Sequence, residues 1–263
     1  MSELQVIFLG FIQGITEFLP ISSSGHLLIA KEWLNLDFHS ISFDIALHLG
    51  SLLAIVIYFY KDITFMFKDF FNILLFKKVK SKLFTQVVIA TIPVVIFGVI
   101  LKITNLESSV RIIPIIAFNL IFFGIFLYFA DKKSVSNTSL YEISYKKSLM
   151  IGIFQCLALI PGVSRSGICL TGSRIAGVDK LSAVKFSMLI SIPSVLGAGL
   201  LTFISMDTNE FMPQEFLLGF VVSFFVGIFV IKFLLDFIKK FSFKIFMIYR
   251  IILGFLLLIW YFI

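Results

Sequence analysis

Two stretches decide how this chain folds: Pro161-Gly162-Val163-Ser164-Arg165-Ser166-Gly167 and Pro20-Ile21-Ser22-Ser23-Ser24-Gly25-His26. Each sets hydroxyls and turn-forming residues inside an apolar run, and the first adds an arginine. A cation in hydrocarbon costs roughly 3 kcal/mol on insertion scales, so its default meaning is functional. The surroundings are apolar throughout: of 263 residues 59% are hydrophobic and 14% charged, with 34 phenylalanines. Apolar runs of membrane-spanning length in that composition make this an integral membrane protein, all-α.

Outward from the two stretches, the chain divides by its charges. Residues 5–30 are interrupted by Gln13, Glu17, Pro20, three serines and His26. Neither half reaches the about 20 residues needed to cross the bilayer. Broken helices are tolerated at membrane depth only where protein or a wet cavity surrounds them, so 5–30 reads as a re-entrant helix-loop-helix with its tip at Pro20–Gly25. Residues 148–173 read the same way, with the tip at Pro161–Gly167. Six spans are expected: about 43–60, 85–103, 113–130, 183–204, 216–236 and the last one ending at 263. Lysines 61, 68, 77, 78, 80 and 82 mark the loop 61–84 as inner, and Lys132, Lys133, Lys146 and Lys147 do the same for 131–147. Lys239, Lys240 and Lys244 mark a third inner loop, whereas Asp207, Glu210 and Glu215 make 205–215 an outer one.

The first re-entrant pair then lies on the outer face and the second on the inner face, each followed by three spans. That is an inverted-topology repeat, with pseudo-repeats at about 1–130 and 148–263 of a single membrane domain. A constant shift of 142 places Gly10 on Gly152, Gln13 on Gln155, Ser22 and Ser24 on Ser164 and Ser166, and Gly25 on Gly167. A shift of 143 then aligns Phe43, Ser51 and Leu53 with Phe186, Ser194 and Leu196. The matches cluster at the break points.

If the two tips meet, they assemble a site suited to phosphate. Arg165 can grip phosphate oxygens bidentately, and glycines with helix N-termini bring backbone N–H groups to an anion. Gln13 and Glu17, four apart on one helical face, can offer oxygens to a divalent cation. His26 is near enough in sequence to Ser22 and Ser23 to serve as general base or acid. Bland readings stand beside these: a serine run as a helix cap, Glu17 and Arg165 as a plain buried ion pair, His26 as a satisfied buried histidine. Asp44 and His48 read equally as supporting residues or as membrane-edge solvation, and Arg250 with Tyr249 reads as a snorkelling anchor at the inner interface. The net charge of +7 follows from the inner loops, so no nucleic-acid partner is expected. Cys156 and Cys169 fall in apolar stretches and read as small buried hydrophobes.

These motifs resemble those of the bacterial undecaprenyl-diphosphate phosphatases of the bacitracin-resistance type, over essentially the whole length. One family motif, Glu/Gln-x-x-x-Glu followed by Phe-Leu-Pro-x-Ser-Ser-x-Gly-His, stands as Gln13 to Glu17 and Phe18 to His26; the other, Pro-Gly-x-Ser-Arg-Ser-Gly, stands as Pro161 to Gly167. The resemblance implies hydrolysis of a C55 polyprenyl diphosphate to the monophosphate carrier used for wall synthesis, with bacitracin resistance as a consequence. It also implies a divalent cation, Mg²⁺ or Ca²⁺, and a bacterial inner-membrane location with the site open to the outer face. By position, Glu17 would serve the metal or proton transfer, Ser23 or Ser22 with His26 the nucleophilic step, and Ser164 and Arg165 the diphosphate clamp. Gln13, Ser24, Ser166 and Gly167 would line the substrate. The threonine often found three residues after Ser166 is Cys169 here, which leaves Thr171 as a substitute candidate. Partners are the polyprenyl lipid, the bilayer and, as an option, a second copy in a homodimer. An inverted-repeat transporter or lipid flippase is the alternative from another class.

Overall fold

A computed structural model describes residues 1–34, 36, 41–79, 81–104, 112–134, 137–204 and 212–263. It is helical, with an isolated bridge between Thr138 and Val178 as its extended pairing among the described residues. Helix α1 (Glu3–Thr16) starts at a capping box in which Ser2 and Gln5 satisfy each other's backbone donors, and α2 (Ser23–Trp33) follows the first tip. Then come α3 (Ile41–Tyr58), α4 (Tyr60–Leu74), α5 (Leu83–Thr104), α6 (Ile113–Lys133), α7 (Tyr145–Cys156), α8 (Arg165–Ile175), α9 (Lys180–Ile204), α10 (Pro213–Lys240) and α11 (Lys244–Phe262). Helices α5, α6, α9, α10 and α11 are each long and apolar enough to cross a membrane, and α3 with α4 makes a sixth candidate. Asp207 and Glu210, which marked 205–215 as an outer loop, lie outside the described residues, as does Lys80.

The two short pairs, α1 with α2 and α7 with α8, pack against each other as hairpins. At 1.5 Å per residue the longest of the four, the 14-residue α1, reaches about 21 Å, short of a bilayer's about 30 Å. Their tips lie in the main core. Val163 and Ile168 are buried against the same cluster as Phe18, Ile21, Phe186, Leu189 and Leu234. Irregular backbone is thus enclosed by protein, as the medium requires.

One expectation changes. The stretch 61–84, read as a loop from its lysines, holds the 15-residue α4, bent 83° from α3. Its apolar and polar residues segregate at helical spacing, which a charge count conceals: Asp69 turns inward while Phe65, Phe67 and Phe71 face out. Tyr141, on the short turn Leu140–Glu142, donates its hydroxyl to Asp62 of α4 at 2.6 Å. Burial, with the Asp62 carboxylate alongside, pushes the Tyr141 phenol up to about 12, so this tie stays protonated at neutral pH.

Helices approach closely at small residues. A Cβ on Gly50 of α3 would stand 2.3 Å from the Phe220 carbonyl oxygen of α10. Without a hydrophobic drive between helices in lipid, such backbone approach carries the packing. Gly50→Ala is therefore expected to destabilise the detergent-solubilised protein by about 1–3 kcal/mol. Gly98→Ala, inside α5 where the new methyl meets nothing within 4 Å, should leave the melting temperature unchanged or raise it through helix propensity. Equal melting temperatures for the two variants would contradict the packing.

Candidate active site

The site is organised by Glu17, which ends α1 and is buried. Gln13, one turn earlier on the same face, donates Nε2 to Glu17 Oε2 at 3.0 Å. The first residue of α2, Ser23, donates its hydroxyl to the same oxygen at 2.7 Å. The other oxygen, Oε1, accepts from Nη2 of Arg165, the first residue of α8. One carboxylate therefore joins the two tips, and the sequence-derived set of Gln13, Glu17, Ser23 and Arg165 is in contact.

The tips share a backbone device. Ser22 (φ 75°, ψ 92°) and Ser164 (φ 73°, ψ 112°) precede α2 and α8 at positive φ, which a non-glycine residue adopts at a cost of order 1–3 kcal/mol. The first helical hydrogen bond of α2 runs from His26 N to the Ser22 carbonyl, and that of α8 from Ile168 N to the Ser164 carbonyl. The amides of Ser23 to Gly25, and of Arg165 and Ser166, are thus left without intrahelical acceptors, which is how a helix start binds an anion. In the second tip the polar atoms form a chain. Gly167 N donates to Ser164 Oγ (3.2 Å), the two hydroxyls of Ser164 and Ser166 meet at 3.2 Å, and Ser166 Oγ donates to the Leu19 carbonyl (2.9 Å). Ser166 thereby ties one tip to the other. Ser24 is exposed and meets Ser22 Oγ at 3.3 Å.

One expectation about an individual residue is corrected. Thr171 does not reach the tip: it is buried, and its hydroxyl donates back to the Gly167 carbonyl of its own helix (2.8 Å). Cys169 also points away, its Sγ 3.8 Å from Gln155 Oε1, so the position of the absent threonine belongs to helix packing. Asp44 is engaged by Lys31 at 2.6 and 2.8 Å.

Arg250 is the largest departure. It is fully buried in α11 and does not snorkel. Its guanidinium donates to the carbonyls of Leu120 (2.9 Å), Asn119 (3.1 Å), Pro20 (3.3 Å), Gly162 (3.1 Å) and Val163 (3.0 Å). It thus holds both tips to α6. Gly167 makes room for it, since a Cβ there would stand 3.0 Å from Arg250 Nη1.

The sequence reading also left His48 undecided. From α3 its Nδ1 lies 3.0 Å from Gln13 Nε2 and 3.8 Å from Glu17 Oε2. The ring of His26 is held at both nitrogens, by the Ser22 carbonyl (2.7 Å) and the Tyr249 hydroxyl (2.6 Å), so no serine hydroxyl is its partner. A separate cavity of about 590 Å³ between α6 and α8, lined by Phe126, Phe129, Lys133, Ser134 and Arg174, contains none of these residues.

A family model, Bacitracin resistance protein BacA, matches residues 6–256. The chain belongs to the BacA family. An undecaprenyl-diphosphatase of Caldicellulosiruptor bescii is 41% identical over 264 residues, covering 99% of this chain and 98% of its own length. The family match includes both tips and α11 as far as residue 256, so the Glu17–Arg165 junction and the Arg250 clamp both lie within it.

Replacing Arg250 with Met leaves carbonyls of both tips and of α6 without their donor, at about 1–3 kcal/mol for each unmatched group. Arg250→Met is accordingly expected to lower stability by roughly 3 kcal/mol or more in a thermal melt in detergent, with Arg250→Lys intermediate. A melting temperature equal to wild type for Arg250→Met would refute the clamp.

Proposed function

We propose that this chain removes the terminal phosphate of undecaprenyl diphosphate, releasing undecaprenyl phosphate and inorganic phosphate. The observation that carries the reading is Glu17, which accepts the Ser23 hydroxyl on one oxygen and the Arg165 guanidinium on the other. That places a nucleophile, its proton acceptor and a phosphate-binding cation within one group of contacts. The relative from C. bescii bears the name of this activity.

The incoming diphosphate competes with Glu17 for Arg165. Phosphate oxygens then sit against the guanidinium and the open amides of α2 and α8, where charge developing at phosphorus is met by preorganised donors. Ser23 Oγ bonds to the terminal phosphorus while its proton passes to Glu17. The bridging P–O bond breaks and undecaprenyl phosphate leaves. In the second step a water oxygen bonds to phosphorus and the Ser23 Oγ–P bond breaks. The water's proton goes to His26, and Ser23 recovers the proton held by Glu17. Ser22, Ser24, Ser164, Ser166 and Gly167 shape the two tips around the phosphates.

A divalent cation, Mg²⁺ or Ca²⁺, belongs to this reading as a companion of the diphosphate. Among the described residues no three His, Cys, Asp or Glu side chains converge to hold an ion. Glu17 and the buried, unpartnered Oε1 of Gln13 offer two oxygens, which suits an ion completed by diphosphate oxygens. Such an ion would neutralise charge on the phosphates.

The reading places the protein in the bacterial inner membrane with the site on the outer side. Lysine-rich loops mark the inner face. The Met1 ammonium pairs with Glu215 at 2.6 Å, which puts the start of α1 beside the acidic start of α10, both expected outside. Arg174, ending α8, pairs with Asp131 near the end of α6 at 2.8 Å, which suits a second hairpin that opens inward. Together with the matching φ of Ser22 and Ser164, these contacts support an inverted repeat of two re-entrant hairpins.

Purified protein in detergent is expected to release phosphate from undecaprenyl diphosphate. Glu17→Gln, Ser23→Ala and Arg165→Ala should each lower kcat by about 10²–10⁴. No release by wild type, or undiminished release by these three variants, overturns the reading.

A further inference from the structure

The last helix sets two unusual residues side by side. Arg250 fastens α11 to the backbone of both tips, as described above, so the position of its neighbour Tyr249 is fixed relative to the site. The Tyr249 ring lies parallel to that of His26, with centroids 5.6 Å apart and planes 7° apart. Its hydroxyl is 2.6 Å from His26 Nε2. On the other side His26 Nδ1 is 2.7 Å from the Ser22 carbonyl oxygen, which can only accept. Nδ1 therefore carries the hydrogen, Nε2 of the neutral ring presents a lone pair, and the Tyr249 hydroxyl donates to it.

We propose that Tyr249 is a positioning residue of the phosphatase site: with the tautomer set by the Ser22 carbonyl, the Tyr249 hydroxyl holds His26 in the one orientation that aims Nε2 for proton transfer. This rests on the phosphatase reading above. The constraint is a double one. The Ser22 carbonyl is itself fixed by the positive-φ turn that starts α2, and α11 is fixed by Arg250, so the imidazole is held between two anchored elements. A water that displaces the tyrosine hydroxyl finds the Nε2 lone pair already aimed at it. It passes its proton to Nε2 as its oxygen bonds to phosphorus. Without the hydroxyl the ring keeps its stack, but the Nδ1 bond is its one remaining hydrogen-bond anchor; the ring can swing about that bond, and Nε2 is no longer held in place. Loss is then expected in the rate of proton transfer and not in the binding of the diphosphate, which Arg165 and the helix amides carry.

The test is phosphate release from undecaprenyl diphosphate by full-length protein in detergent, alongside the rate at which diethyl pyrocarbonate modifies His26 relative to His48. Tyr249→Phe is expected to lower kcat by about tenfold with KM within about twofold, and to speed modification of His26 relative to His48. Tyr249→Trp, whose ring N–H can donate in place of the hydroxyl, is expected to retain more activity than Tyr249→Phe. A pure packing role gives the reverse order, because Phe is closer to Tyr in shape. If wild type is active and Tyr249→Phe matches it in kcat, or if Phe outperforms Trp, the proposal is overturned alone. If wild type releases no phosphate the phosphatase reading falls first, whereas His26 modification still reports the Tyr249 contact.

Discussion

Backbone that leaves the helix in an apolar interior has to be satisfied by protein, and here one guanidinium does this for both breaks at once. Arg250 reaches carbonyls of Pro20 in the first tip, of Gly162 and Val163 in the second, and of Asn119 and Leu120 on α6. Each of those oxygens would otherwise be an unmatched acceptor away from water, at a cost larger than a hydrogen bond's net gain in solution. The clamp also fixes the distance between the two strained serines. Glu17 can therefore meet Arg165, and Ser166 can meet the Leu19 carbonyl, across a gap that the chain spans only through more than a hundred intervening residues.

Charge explains why this arrangement suits an anionic lipid. Arg165 is neutralised by Glu17 before substrate arrives, whereas Arg250 is bonded to neutral carbonyls, and among the described residues no carboxylate lies within salt-bridge distance of it. A buried cation without a counter-ion leaves the tips net positive, and two helix starts add their own partial positive charge. A diphosphate supplies the missing negative charge. In the proposed reaction it also displaces Glu17 from Arg165, which releases the carboxylate for the Ser23 proton. The resting ion pair and the working site are thus two uses of the same residues.

Most of the fold was legible in the sequence, because apolar run length and lysine placement are one-dimensional signals. Pro20, Pro161 and the Ser-Gly runs located both breaks, and the Glu17–Arg165 contact stood among the readings only as a plain buried ion pair. What escaped depends on depth and rotation. Arg250 lies six residues beyond Lys244 and so read as an interface residue, yet α11 begins at Lys244 and carries it into the bundle. His48 was one polar residue on an apolar helix, and only the packing of α3 against α1 turns it to Gln13. Thr171 was misplaced because its spacing from Ser166 does not reveal that its hydroxyl closes onto Gly167 one turn back. In α4 the lysines masked an amphipathic helix whose apolar face appears only when residues are counted at helical spacing.

The central claim is that Glu17 and Arg165, from separate hairpins, act as one unit. A double-mutant cycle in kcat/KM with Glu17→Gln, Arg165→Gln and the pair together, on undecaprenyl diphosphate in detergent, tests it most directly. The account predicts strong non-additivity, with the double variant no slower than the slower single variant. Losses that simply multiply would show two independent residues and contradict a site built across the two tips.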